Sequence, residues 1–197
     1  MSEEHAPAPA PTPRTPLPHP GEGGLAGRLA EILRVDHAGE LGAVAIYRGQ
    51  RAVLGAAAGQ ERIAGQLAEM EAHEAEHLKR FDQLVLENRV RPTALAPIWR
   101  LAGFAIGAGT ALLGPKAAHA CTEAVENVIE QHYAGQVQEL SELKPELAAE
   151  LAKFREEEIA HRDLSVAEGA HEAPGHRLLS AVIGAGCRAA IRLSEKL

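Results

Sequence analysis

The sequence predicts an all-α protein of six helices. From Gly24 onward, Ala, Leu, Glu and Ile recur at the three-to-four-residue spacing of amphipathic helices, and no β-branched alternation typical of strands interrupts them. Gly and Pro separate these segments, and Pro115 and Pro145 lie where a first helical turn tolerates proline. The predicted helices cover residues 25–57, 60–89, 94–113, 116–140, 145–170 and 175–196.

Length and composition limit the classes of protein that this chain can be. Its 197 residues fit one domain, predicted over residues 25–197. Residues 1–24 hold many prolines and few large apolar side chains, which predicts a disordered tail without secretory or transit features. A net charge of -7 without a basic run argues against a nucleic-acid partner. Cys121 and Cys187 are predicted to be reduced thiols, which favours a cytoplasmic compartment.

The first predicted helix carries a carboxylate where an apolar side chain is expected. In the segment RVDHAGELGAVAIYRGQ, residues 34–50, Glu40 interrupts a stripe that contains Val35, Val44 and Ile46. A buried carboxylate without a partner costs free energy or shifts its pKa until it is neutral. Glu40 therefore predicts partners on other helices.

The second and fifth predicted helices each contain a Glu-x-x-His pair, whose members share one helix face. For this content of Glu and His, chance predicts about one such pair. The sequence holds three: Glu74 with His77, Glu158 with His161, and Glu168 with His171. The third lies near a helix end and is interpreted as a surface pair.

The fourth predicted helix matches the first, so the six helices are interpreted as two copies of a three-helix unit. Tyr47 and Tyr133, the only two tyrosines, align at an offset of 86 residues, as do Glu40 and Glu126. The two Glu-x-x-His pairs of the helix centres align at an offset of 84. RLAGFAIGAG in the third helix aligns with RLLSAVIGAG in the sixth at an offset of 77. Chance similarity in a chain rich in Ala, Gly and Glu is the alternative.

A lone Glu on two helices and a Glu-x-x-His pair on two others form the ligand set of ferritin-like di-iron proteins. The predicted fold is therefore a ferritin-like four-helix bundle with two additional membrane-facing helices. The candidate metal ligands are Glu40, Glu74, His77, Glu126, Glu158 and His161. Their four carboxylates nearly neutralise two Fe²⁺ ions, and a site rich in oxygen ligands favours iron or manganese over zinc.

Several of these residues have alternative interpretations. Glu40 and Glu126 could be half-buried residues paired with Arg, and the two histidines could be core residues with satisfied hydrogen bonds. Glu157 is the nearest alternative to Glu158. The acidic residues interpreted as a solvated face are Glu71, Glu76, Glu156 and Glu157. His37, one turn before Glu40, is either an outer hydrogen-bond donor or, as we favour, a packed or surface residue.

The third predicted helix is strongly apolar. Residues 101–115 carry no charge, yet this stretch is shorter than the roughly 20 residues that span a bilayer. Trp99 suits the headgroup zone, and the cations that edge the segment are Arg89, Arg91, Arg100 and Lys116. These features favour peripheral attachment to a membrane surface, with a buried core helix as the alternative.

At these residues the chain resembles the demethoxyubiquinone hydroxylases of ubiquinone biosynthesis. The resemblance rests on RVDHAGE, YRGQ, RVRPT, GFAIGAGTALLG, ACTEAVE, QHYAGQ, FREEEIAHRD and AGCRAAIRLSEKL, which extend over nearly all of the chain after the tail. Related di-iron proteins share the ligand spacing but not GAGTALLG. The segment LGAAAGQERIAGQ departs from the family, so the loop between the first two helices is not predicted by it.

The resemblance implies two iron ions held by the six candidate ligands, with Glu74 and Glu158 bridging. It implies hydroxylation of a polyprenylated demethoxyubiquinol with O₂ and electrons ultimately from NADH. The uncharged third helix and its edging cations predict peripheral attachment to the cytoplasmic face of the inner cell membrane through the third and sixth helices. His132 and Tyr133 match a pair that would lie between quinone and iron, although Tyr133 could simply be packed, as predicted for Tyr47. The small residues of the third and sixth helices would let the prenyl tail pass.

Two other functional classes stay open at the level of the sequence. A ferritin-type iron oxidase or storage protein would explain the ligands but not the apolar third helix. A metal-free helical scaffold would explain the apolar helix but not six matched ligands. The sequence does not determine the prenyl chain length or the electron donor. It also leaves open whether a lipid-binding protein presents the substrate and whether the chain forms a homo-oligomer.

Overall fold

The structure, a computed structural model that describes residues 24–197, consists of six α-helices and one 3-10 turn, with no strand in that range. The helices are α1 (Gly24–Leu54), α2 (Glu61–Glu87), α3 (Ala96–Leu112), α4 (Pro115–Leu140), α5 (Pro145–Ala167) and α6 (His176–Lys196). The predicted all-α class is confirmed, and the helix ends differ from the predicted ones by at most three residues. The predicted tail lies outside the described residues, except for Gly24, which begins α1.

Helices α1 and α5 each end three residues earlier than predicted, and the connection after α5 explains the second difference. Helix α5 ends at Ala167 rather than at 170, because Gly169 adopts a left-handed conformation with φ 90°, which a helix does not continue through. The 3-10 turn Ala170–Glu172 follows, and Gly175, with φ 72°, precedes the first residue of α6. Two left-handed glycines therefore fold this short connection back against the bundle.

Four helices, α1, α2, α4 and α5, enclose the centre of the molecule, while α3 packs along α1 and α6 packs against α4 and α1. One apolar cluster fills one end of the four helices, and its largest members are Ile32, Leu33, Phe81, Tyr133, Leu140 and Leu151. A second cluster fills the other end around Tyr47, Leu54, Leu67 and Met70. The helix centres between these two clusters carry the polar candidate residues.

Glycines allow α3 to lie directly on the backbone of α1. A Cβ atom added at Gly107 would lie 2.0 Å from the carbonyl oxygen of Ile46, and one added at Gly49 would lie 2.2 Å from that of Phe104. Real Cβ atoms do not approach oxygen so closely, so both positions require glycine at this helix separation. Gly103 and Gly107 of GFAIGAG are thus explained by the contact with α1.

We expect Gly107→Ala to lower the free energy of unfolding by about 1–3 kcal/mol, because the added methyl group forces α3 away from α1. Gly109→Ala is the matched control on the same helix, since its Cβ would meet nothing within 4 Å. There the gain in helix propensity should raise stability by about 0.5–1 kcal/mol. Urea unfolding of both variants measures the difference, and equal stabilities would contradict the close contact.

Helices α3 and α6 expose large apolar side chains to solvent. The most exposed are Leu101 at 73%, Leu112 at 75%, Leu113 at 71%, Leu178 at 72% and Val182 at 62%. None of the helices in residues 24–197 is long and apolar enough to cross a membrane. Exposed apolar surface of this kind is typical of a face that contacts a partner or a lipid surface.

Candidate metal centre

The structure brings all six candidate ligands together at the centre of the bundle. Each of these side chains is at most 5% exposed, and they come from α1, α2, α4 and α5. They form two groups whose possible ligand atoms lie within 4.8 Å of one another. One group is Glu40, Glu74, His77 and Glu158, and the other is Glu74, Glu126, Glu158 and His161. Glu74 and Glu158 belong to both groups and therefore lie between them.

Both histidines direct Nδ1 toward the carboxylates. His77 Nδ1 lies 3.3 Å from Glu158, 3.6 Å from Glu40 and 3.7 Å from Glu74. His161 Nδ1 lies 3.0 Å from Glu74 and 3.5 Å from Glu158. Each imidazole thus offers one nitrogen to the centre and keeps the other for an outer partner.

The outer nitrogens have partners that sequence reasoning does not identify. His77 Nε2 lies 2.5 Å from Glu157 Oε2, and His161 Nε2 lies 3.1 Å from Nδ1 of His73. An outer partner of this kind sets the tautomer and orientation of a metal-binding histidine. Glu157 is half exposed, as expected of the solvated face, but its carboxylate also orients His77. No sequence pattern points to His73 beyond its position next to Glu74.

Two tyrosines make reciprocal hydrogen bonds between α1 and α4. The Tyr47 hydroxyl donates to Glu126 Oε1 at 2.8 Å, and the Tyr133 hydroxyl donates to Glu40 Oε1. Burial, together with the nearby carboxylates, raises both phenol pKa values well above their usual range, so both hydroxyls keep their protons. Tyr133 therefore contacts a candidate ligand directly, and so does Tyr47, whose hydroxyl is satisfied as predicted.

His132 and His37 lie outside these two groups. His132 Nε2 lies 3.5 Å from Asp36 Oδ1 and 2.9 Å from the side-chain amide of Gln136, which donates to the same Asp36 oxygen at 2.7 Å. His37 is buried and lies 3.0 Å from Asp82 Oδ1. His37 is therefore a packed residue paired with Asp82, in line with the favoured interpretation.

Protons balance the carboxylates when no cation is bound. Burial, joined by the neighbouring carboxylates, raises the pKa values of Glu40 and Glu126 well above their usual range. Burial would also raise the pKa of Glu74, but His161 and His77 lower it to about 2. Burial alone would lower the pKa of His161, but Glu158 and Glu74 raise it to about 9. Without a cation, the raised pKa values keep protons on Glu40, Glu126 and His161, and bound cations would take the place of these protons.

The polar atoms that face the centre provide a test of whether a metal fits. Eight of them are buried without a hydrogen-bond partner: Glu40 Oε2, both oxygens of Glu74 and of Glu158, Glu126 Oε2, His77 Nδ1 and His161 Nδ1. Unsatisfied buried polar atoms cost free energy and are uncommon, yet here they converge on one place. Oxygen and imidazole donors in this ratio suit Fe or Mn ions, so the residues fit a pair of such ions.

An apolar cavity of about 300 Å³ lies between α1, α3, α4 and α6. Its wall on α1 includes Gly39 and Gly42, which flank Glu40, and its wall on α4 includes Val125, which precedes Glu126. Trp99 on α3 and Cys187 on α6 also line it. A cavity of this size accommodates a small ring. Its lining comes from helices that carry candidate ligands and from the two exposed helices, but includes none of the ligands themselves.

The two residues of the third Glu-x-x-His pair, Glu168 and His171, do not face each other. Glu168 binds Arg62 and Gln66, whereas His171 lies in the 3-10 turn and faces Glu123 of α4. The interpretation of this pair as a surface pair is consistent with the exposure of His171, although the two side chains bind different partners. His171 nevertheless belongs to a separate group, with Glu123 and His176.

Fold and site together define an all-helical protein with a buried, metal-compatible cluster of carboxylates and imidazoles. The family model described as ubiquinone biosynthesis protein COQ7 matches residues 27–194. The chain belongs to the COQ7 family.

Curated relatives match over most of their length. The chain is 49% identical to a protein of Rhodospirillum rubrum named 3-demethoxyubiquinol 3-hydroxylase, over 90% of this chain and 82% of the relative. It is 49% identical to the human NADPH-dependent 3-demethoxyubiquinone 3-hydroxylase, mitochondrial, over 84% of this chain and 76% of the relative. It is 38% identical to the 5-demethoxyubiquinone hydroxylase, mitochondrial, of Saccharomyces cerevisiae, over 86% of this chain and 78% of the relative.

Proposed function

We propose that this chain is a di-iron, O₂-dependent monooxygenase that hydroxylates the ring of a polyprenylated demethoxyubiquinol in ubiquinone biosynthesis. The observation that carries the proposal is the pair of buried ligand groups that share Glu74 and Glu158. The same bundle holds an apolar cavity lined by α1 and α4, two of the helices that carry these ligands. The names of the bacterial, human and yeast relatives support the same reaction. No observation favours the iron-storage alternative.

Each ligand group would hold one iron ion, and Glu74 and Glu158, which belong to both groups, would serve as ligands to both ions. Bound in this way, two Fe²⁺ ions would supply the activation of O₂. The helices α1, α2, α4 and α5 would then form a ferritin-like four-helix bundle. The reciprocal tyrosine bonds to Glu40 and Glu126 agree with two related halves of the chain.

The chain's own residues orient the ligands and keep water out. Tyr47 and Tyr133 fix the carboxylates of Glu126 and Glu40, so that the second oxygen of each points toward the centre. Glu157 and His73 hold the outer nitrogens of the two histidines. The apolar clusters at both ends of the bundle exclude bulk water from the reacting atoms.

We propose that the quinol ring occupies the cavity and that the prenyl tail leaves it between α3 and α6. The apolar lining around Trp99 and Ile106 suits both parts of such a substrate. Tyr133 donates a hydrogen bond to the candidate ligand Glu40. His132, which lies next to Asp36, is proposed to act on the substrate. The electrons are proposed to come ultimately from NADH, and the human relative's name specifies NADPH.

Product analysis tests the proposal against iron storage. The protein is purified without O₂, its iron per chain is counted, and a short-chain demethoxyubiquinol is added with O₂. We expect two irons per chain and a hydroxylated ring. Iron oxidation that yields a ferric mineral, with the quinol unchanged, would place the chain in the storage class instead.

We further propose peripheral attachment to the cytoplasmic face of the inner membrane through the exposed side chains of α3 and α6. Arg89, Arg91 and Arg100 are exposed and lie just before α3 or within it, where anionic headgroups would attract them. The exposed leucines would enter the interface without spanning the bilayer. The same face also suits a lipid-binding partner protein or a second copy of the chain.

The double variant Leu112→Glu, Leu113→Glu is expected to weaken flotation with anionic liposomes, because it places two charges in the proposed lipid contact. The matched control is Leu86→Glu with Leu143→Glu, which changes two exposed leucines outside α3 and α6. The control should float like the unaltered protein. Equal flotation of both double variants would argue against attachment through α3.

A further inference from the structure

A second cluster of metal-binding side chains lies away from the central carboxylates, where the α5–α6 connection meets α4. His171 Nε2 lies 2.9 Å from Glu123 Oε1, and His176 Nε2 lies 2.7 Å from Glu123 Oε2. The two imidazole rings are 4.9 Å apart between centroids. All three residues offer ligand atoms within 4.8 Å of one another. One carboxylate and two imidazoles from three separate segments thus converge on one point.

The sequence of the connection supports a metal site independently of this geometry. His171 and His176 are the ends of HEAPGH, a His-x₄-His spacing within the His-x₃₋₅-His range of zinc ligands. Tetrahedral zinc would hold its ligand atoms about 3.4 Å apart. The contacts of His171 and His176 with Glu123, at 2.9 and 2.7 Å, would therefore open by about 0.5 and 0.7 Å. Each neutral imidazole can move its proton to Nδ1, so that Nε2 becomes free to bind without a change in charge.

The charges around Glu123 favour a cation there. Its side chain is only 10% exposed, and within residues 24–197 it pairs with no Lys or Arg, because its partners are the two histidines. His171 is 59% exposed, which leaves a path from solvent and room for a water ligand. Two His and one Glu with an open fourth position is an established ligand set for zinc.

We propose that Glu123, His171 and His176 form a zinc site that ties the α5–α6 connection to α4. The site uses none of the six central candidate ligands, so it does not depend on the proposed di-iron chemistry. Helix α6 begins at His176 and lines the apolar cavity through Cys187 and neighbouring residues. Zinc bound here would fix the start of a helix that borders the cavity.

Zinc counting by difference tests the site. The full chain is incubated with excess Zn²⁺ and desalted, and zinc per chain is measured for the unaltered protein and for His171→Gln, His176→Gln. We expect the double variant to hold one zinc fewer per chain. The variant His5→Gln, His19→Gln removes two histidines elsewhere in the sequence and should hold as much as the unaltered protein.

The single variant His171→Gln changes only an exposed residue, so it tests zinc binding even if the double variant does not fold. It should weaken Zn²⁺ binding by at least the roughly 10–100-fold that loss of an outer partner costs at metal sites. Circular dichroism without metal should show the same helix content as the unaltered protein. Equal zinc in the unaltered protein and in a folded double variant would overturn the proposal, as would equal losses in the His5, His19 control.

Discussion

Glu158→Ala is expected to abolish iron binding, with fewer than one iron in place of two per chain after anaerobic reconstitution. The reason is that Glu158 belongs to both ligand groups and lies in the fully buried centre, so its loss removes a ligand from each ion at once. Hydroxylation should fall to background with the iron. Iron analysis together with circular dichroism separates this loss from unfolding.

The neighbouring glutamates provide graded controls on the same helix. Glu156→Ala changes an exposed side chain and should leave both irons in place. Glu157→Ala removes the outer partner of His77 and should weaken iron binding by about 10–100-fold without abolishing it. Full iron retention by Glu158→Ala, or equal losses in all three variants, would contradict the proposal that Glu158 serves both ions.

Gly42→Leu is expected to lower hydroxylation by at least about tenfold while both irons stay bound. Gly42 lines the cavity, and a Cβ there would meet nothing within 4 Å, so the leucine side chain can enter the cavity without pushing helices apart. A single methylene of misfit in an apolar pocket costs about 1–3 kcal/mol of discrimination, and leucine adds more than that. Turnover of a short-chain demethoxyubiquinol measures the effect.

Gly65→Leu on α2 is the matched control for this variant. Gly65 is exposed, and its Cβ would also meet nothing within 4 Å. It shares the change in helix propensity but lies outside the cavity, so its turnover should equal that of the unaltered protein. Unchanged turnover in Gly42→Leu would show that the substrate does not use this cavity.

The helices and the convergence of the candidate ligands follow from local sequence patterns. Helical spacing and proline positions place every helix end within three residues of the observed one. A Glu-x-x-His pair fixes two side chains on one face, and Glu40 in an apolar stripe points to the core. The structure brings these side chains together, while their role as metal ligands and the internal repeat stay predictions.

The outer partners of the site could not be predicted, because they depend on how the helices pack. The contact of Glu157 with His77 joins α5 to α2, and that of His73 with His161 joins the same helices in reverse. Nothing in the local pattern of an exposed Glu or His specifies such a contact. His171 is the clearest example, since its sequence neighbour Glu168 turns away and Glu123, 48 positions earlier, becomes its partner.

The origin of the oxygen atom in the product tests the central claim most directly. Iron-loaded protein is given a reduced short-chain demethoxyubiquinol and ¹⁸O₂ in unlabelled water, and the quinol is examined by mass spectrometry. The proposed monooxygenase places one ¹⁸O atom in the new ring hydroxyl of the product. Label found only in water or peroxide, with an unhydroxylated ring, would contradict it.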